Sequence, residues 1–173
     1  MSPLDRLREL IAAEGEPLAG GLLASAPSVA EPTLGELAAA GPRATADPDE
    51  YELLLEAIYE GYLLHYGDSR LLSAADPDLA LLAGDRLYAI GLERLVALGD
   101  LEAVVELADV IALSALLVGR GQRASCDPLW RAGAIAVGWG APEDYRRAKA
   151  LARAGDPGAR EALAALADPS AGA

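Results

Sequence analysis

Glu56 and Glu60 stand four residues apart, with His65 little more than a turn further on, in a stretch whose apolar spacing predicts a helix over 48–66. Carboxylates at that spacing share a face and can share a cation, and a histidine can ligate a metal or act as a general base. The same spacing is more often a solvated face. His65 is the only histidine, which excludes a multi-histidine metal site, and a histidine near a helix C-terminus is favoured by the dipole alone. Cys126 follows Arg120 and Arg123 and precedes a predicted helix start, a setting that lowers a thiol pKa, although an ordinary small side chain at a bend is the commoner case. As the only cysteine it offers neither a disulfide framework nor a thiolate metal site. Arg120, Arg123, Arg131, Arg146 and Arg147 form the one basic concentration. They could grip a carboxylate, a phosphate or an acidic partner, or could balance local acid.

The elements that must position these residues are helices. Asp-Pro punctuates the chain at 47–48, 76–77, 127–128, 156–157 and 168–169. Aspartate accepts from the orphan N–H groups of a helix start, and proline suits the first helical position. Asp100 gives a further start without proline, and Gly67, Gly99 and Gly155 mark stops. The pattern predicts helices at 3–14, 34–40, 48–66, 77–98, 101–119, 128–139, 142–154 and 157–167. Thr33 and Glu36 have the form of a capping box for the second of them. Residues 15–47, rich in Gly, Pro, Ala and Ser, read as a loosely ordered connection between an N-terminal helix and a bundle domain at 48–168. Alternating β-branched runs are missing, so the class is all-α, a compact antiparallel bundle.

Two helices are unusually apolar. In 77–98, Leu81, Leu82, Leu87, Ile90, Leu92, Leu95 and Val96 cover more than one stripe, which implies contacts on two sides. From Val110 to Val118 only Ser114 is polar, so 101–119 should be the most buried helix of all. Gly84 and Gly91, and Gly133 and Gly138, leave small faces where another backbone can approach, inside the chain or across an interface. Trp130 and Trp139 mark an aromatic cluster.

The composition, 53% hydrophobic and 24% charged, is that of a globular chain. A net charge of −13 with a single lysine makes nucleic acid and anionic membrane surfaces poor partners. Asp5 and Glu9 near the start do not suit a signal peptide, and the uncharged run 110–119 is too short to span a bilayer. A cytoplasmic location is expected.

Leu81-Leu82-Ala83-Gly84-Asp85, Gly91 and Leu98-Gly99-Asp100 resemble the mid-chain AGD helix and following turn of the trans-isoprenyl diphosphate synthases. Residues 101–122 and 130–154 are similar to the family's next helices, so the resemblance spans roughly 50–160. It implies a truncated isoprenoid-synthase fold. Both Asp-Asp-x-x-Asp motifs that hold the family's Mg²⁺ are missing, so it does not imply prenyl transfer by this chain. The departure is similar to the non-catalytic component I of two-component heptaprenyl diphosphate synthases. That likeness implies a helical subunit without cofactor that pairs with a protein partner, as a hetero-oligomer or a homodimer. Gly84, Asp85, Gly91, Gly133 and Gly138 are its candidate contact residues. The alternatives are an isoprenoid-binding module, a general acidic helical adaptor, and a metal enzyme built on Glu56, Glu60 and His65.

Overall fold

A computed structural model describes residues 1–25, 27, 32–73 and 75–167. The described residues hold eight α-helices: α1 Pro3–Ala13, α2 Leu34–Ala39, α3 Pro48–Tyr66, α4 Pro77–Leu98, α5 Leu101–Gly119, α6 Cys126–Trp139, α7 Glu143–Ala154 and α8 Ala159–Ala164. Their starts are set by the anticipated caps. Asp47 Oδ1 accepts from the Glu50 N–H, Asp76 Oδ1 from those of Asp78 and Leu79, and Asp100 Oδ1 from that of Ala103. Thr33 and Glu36 close the capping box in both directions. Gly99 and Gly155 end α4 and α7 at positive φ, where any Cβ is strained.

Two starts are displaced. Around Asp127-Pro128 the helix begins earlier, at Cys126, because a 3₁₀ turn over Arg123–Ser125 feeds directly into it. Around Asp156-Pro157 it begins later: Asp156 Oδ1 accepts from Gly158 N–H, and α8 opens only at Ala159. Asp168-Pro169 lies outside the described residues.

Packing divides the helices into two groups. α3 packs on both α1 and α4, while α5 packs on α6 and α7. α2 touches both α3 and α6. Leu54, Leu55 and Ile58 of α3 join Leu107, Val110 and Leu117 of α5 and Trp130 of α6 in the main core. A second cluster, with Leu4, Leu7 and Ile11 of α1 and Leu87 of α4, fills the far side of α3.

The connection 15–47 is more fixed than its composition suggests. Leu34, Leu37 and Ala38 of α2 belong to the main core. Leu23 N–H donates to Leu71 O and Ser73 N–H to Gly21 O, both at 2.8 Å, which ties 21–23 to 71–73. Composition rich in Gly, Pro, Ala and Ser predicts a loop from local propensity, and long-range contacts override it here. Residues 26 and 28–31 of this stretch lie outside the described set.

Three further expectations are corrected. Trp130 is buried, its ring 5.2 and 5.3 Å from those of Tyr62 and Tyr59, but Trp139 is 51% exposed and belongs to no cluster. α5 is not the most buried helix; α6 is, with Leu129, Trp130, Ala134, Val137 and both its helical glycines inside. On α5, Leu101 and Val105 are 62% and 70% exposed, and Ala112 and Leu116 within the apolar run 110–118 are exposed as well. α4 behaves alike: Leu87 and Leu95 are buried, while Leu82 and Val96 are 66% and 54% exposed.

Candidate functional site

Glu56 and Glu60 are neither a solvated face nor a metal site. Both are fully buried on α3, and the cation between them is Arg70. Its Nε donates to Glu60 Oε2 at 2.9 Å and its Nη1 to Glu56 Oε2 at 2.8 Å. Glu60 Oε1 also accepts from Ser69 Oγ, Arg70 N–H and Leu71 N–H, and Glu56 Oε1 accepts from Gly35 N–H at 2.8 Å. These donors satisfy two buried carboxylates and anchor the 69–72 segment and α2 to α3. The Arg70 guanidinium carbon lies 5.1 Å from the Tyr59 ring centroid. His65 does not join them. It points to α4, stacked on Tyr88 at 5.3 Å, with Nε2 3.1 Å from Asp85 Oδ1. Among the described residues no group of three or more His, Cys, Asp or Glu side chains is placed to hold a metal ion.

Cys126 is an ordinary packed side chain, and the lowered thiol pKa is corrected. Its side chain is buried beneath Tyr62, and burial pushes the thiol above its ordinary pKa despite Arg123 nearby. A neutral thiol behind a buried tyrosine is a packing group.

The basic concentration separates in three dimensions. Arg120 donates to the Ala152 and Arg153 carbonyls at the end of α7 and so ties α5 to it. Arg146 and Arg147 pair with Glu143 within their own helix, and Arg147 also reaches Asp144. Arg131 is half-buried on α6. Arg123 alone faces a recess, one of about 330 Å³ open to solvent and shared with Tyr59, Tyr62 and Asp127. No common anion grip results.

The glycines do work as close-contact sites, within the chain. A Cβ on Gly84 would stand 2.7 Å from the His65 ring, and one on Gly91 2.3 Å from Ile58 Cγ1, so α3 and α4 nearly touch. On Gly133 it would meet Val110 at 2.8 Å, and on Gly138 the Ala38 carbonyl oxygen at 2.1 Å. These faces are spent on α3–α4, α5–α6 and α2–α6 contacts and are covered by the chain's own helices. The space an isoprenoid tail would need among α3, α4 and α5 is occupied by Ile58, Tyr62, Leu107, Leu113 and Leu117, all buried.

Charged pairs absent from the sequence reading hold α5 to α7. Lys149, almost buried, donates to both Glu106 oxygens at 2.7 and 2.9 Å and sits 2.8 Å from Asp109, which Arg153 also contacts. Tyr145 donates to Glu106 at 2.6 Å. The i, i+4 spacing of Tyr145, Lys149 and Arg153 was the legible signal. Burial works against the ionised Asp109 carboxylate, but the bonds from Arg153 and Lys149 outweigh it and its pKa lies below the ordinary 3.8. A carboxylate with a depressed folded pKa stabilises the fold above its unfolded pKa and loses that contribution as pH falls through the folded value. Asp109→Asn is therefore expected to cost about 1–2 kcal/mol at pH 7. The gap to the native chain should narrow below pH 3.8, as urea denaturation at both pH values would show. A gap independent of pH would mean that the charge of Asp109 is not what matters.

What remains uncovered is the outer side of α4 and α5. At about 100° per residue, Leu101, Val105, Ala108, Ala112 and Leu116 fall on one side of α5, which carries no charge along its length. Of its three acids, Glu106 and Asp109 are turned toward α7, and Glu102 in the first turn pairs with Arg43. On α4, Leu81, Leu82, Ala89 and Val96 lie on the side away from α1 and α3. The two helices are joined by Gly99 and Asp100, and Tyr88, Leu92, Val104 and Ile111 are partly buried against the main core.

No family model matches the chain, and no curated protein or solved structure is significantly similar to it. No described helix is long and apolar enough to cross a membrane.

Proposed function

We propose that this chain is a non-catalytic helical subunit that docks a protein partner on the outer side of α4 and α5. The observation that carries the reading is α5 itself. A helix this apolar belongs in a core, yet Leu101, Val105, Ala108, Ala112 and Leu116 along one side of it are exposed, with no described residue covering them. A strip of two helices about 28 Å long and roughly 20 Å wide amounts to on the order of 500 Å². The largest apolar patch of a monomer is about 300–600 Å² and is often functional. Here the α5 side supplies the apolar part, while Asp78, Asp85 and Glu93 stand within the α4 side. The groups with catalytic potential are committed elsewhere: Glu56 and Glu60 to Arg70, His65 to Asp85 and Tyr88, and Cys126 to the core.

The resemblance of residues 50–160 to isoprenyl diphosphate synthases names the class of partner, a polyprenyl diphosphate synthase that retains its aspartate-rich motifs. A general acidic adaptor serving another protein would use the same surface. Native protein isolated from its source is expected to run as a stoichiometric complex. The double variant Val105→Glu/Ala112→Glu should run alone with an unchanged unfolding midpoint, since both positions face outward. A native chain that runs as a lone monomer in fresh lysate overturns the reading. Prenyl transfer that requires both chains would identify the partner class.

A further inference from the structure

The charges around the uncovered side of α4 and α5 select what covers it. On α4, Asp78, Asp85 and Glu93 are exposed among the outward-facing apolar residues. Among the described residues Asp78 and Glu93 have no cation within ion-pair distance, and Asp85 reaches only His65. Nearby Arg86 and Arg94 are committed to Glu14 and Glu50. The cations of α7 are paired with Glu106 and Asp109 of α5 and with Glu143 and Asp144 of their own helix. The face thus sets the apolar side of α5 beside exposed carboxylates along α4, on a chain whose net charge is −13.

From this complementarity we infer that the occupant is an amphipathic helix whose apolar stripe is bordered by lysine or arginine, carried by a different protein. The inference rests on the proposed docking role of this face and adds the chemistry of the partner. A second copy would bring the same three acids against these and add repulsion between two strongly negative chains, which costs association energy and slows encounter. A basic border would instead steer encounter and pair with Asp78, Asp85 and Glu93 at the rim, while leucine and alanine cover the apolar strip. Rim pairs set rate and salt dependence more than they set affinity, so the two contributions are separable.

The test uses the full chain and two helical peptides that share one leucine–alanine stripe, one bordered by lysine and the other by glutamate. Fluorescence anisotropy measures their binding, and sedimentation follows the chain alone. The lysine-bordered peptide is expected to bind at least about tenfold more tightly than the other, with a preference that 0.5 M salt largely removes. Asp85→Lys/Glu93→Lys should cut that preference about tenfold. Val105→Glu/Ala112→Glu should abolish binding of both peptides. Equal binding of both peptides overturns the charge inference and leaves the docking role standing. Self-association that Val105→Glu/Ala112→Glu breaks also overturns it, because the occupant is then a second copy. Neutral or anionic vesicles binding through this face would make the occupant a lipid surface and overturn both. If neither peptide binds and the chain stays monomeric, both the inference and the docking role fall.

Discussion

Arg70→Met is expected to destabilise the fold by about 3–5 kcal/mol, the usual cost of leaving a buried charge without its partner. The methionine fills much the same volume, so the loss reports charge and hydrogen bonding more than packing. Glu56 and Glu60 would face each other in the interior, still holding Gly35, Ser69 and Leu71 but with no cation between them. Urea denaturation at pH 7 measures the effect. The further substitution Glu56→Gln in the Arg70→Met background should recover part of it by removing one of the two uncompensated charges. Loss of less than about 1 kcal/mol in Arg70→Met would show that water reaches this cluster and screens it.

Gly138→Ala should be almost as damaging, against the rule that alanine improves a helix interior. A Cβ there stands 2.1 Å from the Ala38 carbonyl oxygen and 2.9 Å from its carbonyl carbon, and α2 is held in place by its own backbone. Atoms of a main chain cannot rotate away as a side chain can, so α2 must shift from α6 and disturb Leu34 and Leu37. Overpacking of this kind costs about 1–3 kcal/mol, and strain against backbone belongs at the upper end. The matched control is Gly119→Ala at the end of α5, where a Cβ meets nothing within 4 Å. There the helix should gain up to about 1 kcal/mol from propensity. Thermal unfolding of both variants should therefore move in opposite directions. A shift of the same sign in both would mean that the α2–α6 contact is looser than described.

The two substitutions mark where sequence reading succeeds. Gly138, Gly133, Gly84 and Gly91 were legible as close-contact positions, because a glycine kept in an apolar helix despite its propensity cost implies a neighbour that needs the space. That the neighbours are the chain's own helices was not legible, since spacing along one helix carries no information about which element approaches it. Glu56 and Glu60 show the same limit more sharply. Their spacing placed both on one face, but Arg70 lies beyond the end of that helix, and only the return of the 69–72 segment brings it between them. The basic concentration failed for a related reason. Arg146 pairs locally with Glu143, while Arg120 reaches across to the carbonyls at the end of α7, so the two guanidiniums are drawn to different places.

By itself the sequence determined the helical class, nearly every helix start and the acidity of the surface. Those features depend on residues within a turn of one another: an aspartate before a proline, a glycine at a helix end, an excess of carboxylates. Tertiary structure alone decided which apolar stripes are covered. α4 and α5 are apolar on two sides each, and the chain has enough helices to bury only one side of each. Burial is a sum over the whole fold, so the uncovered side, on which the proposed function rests, emerges only once every other helix has been placed.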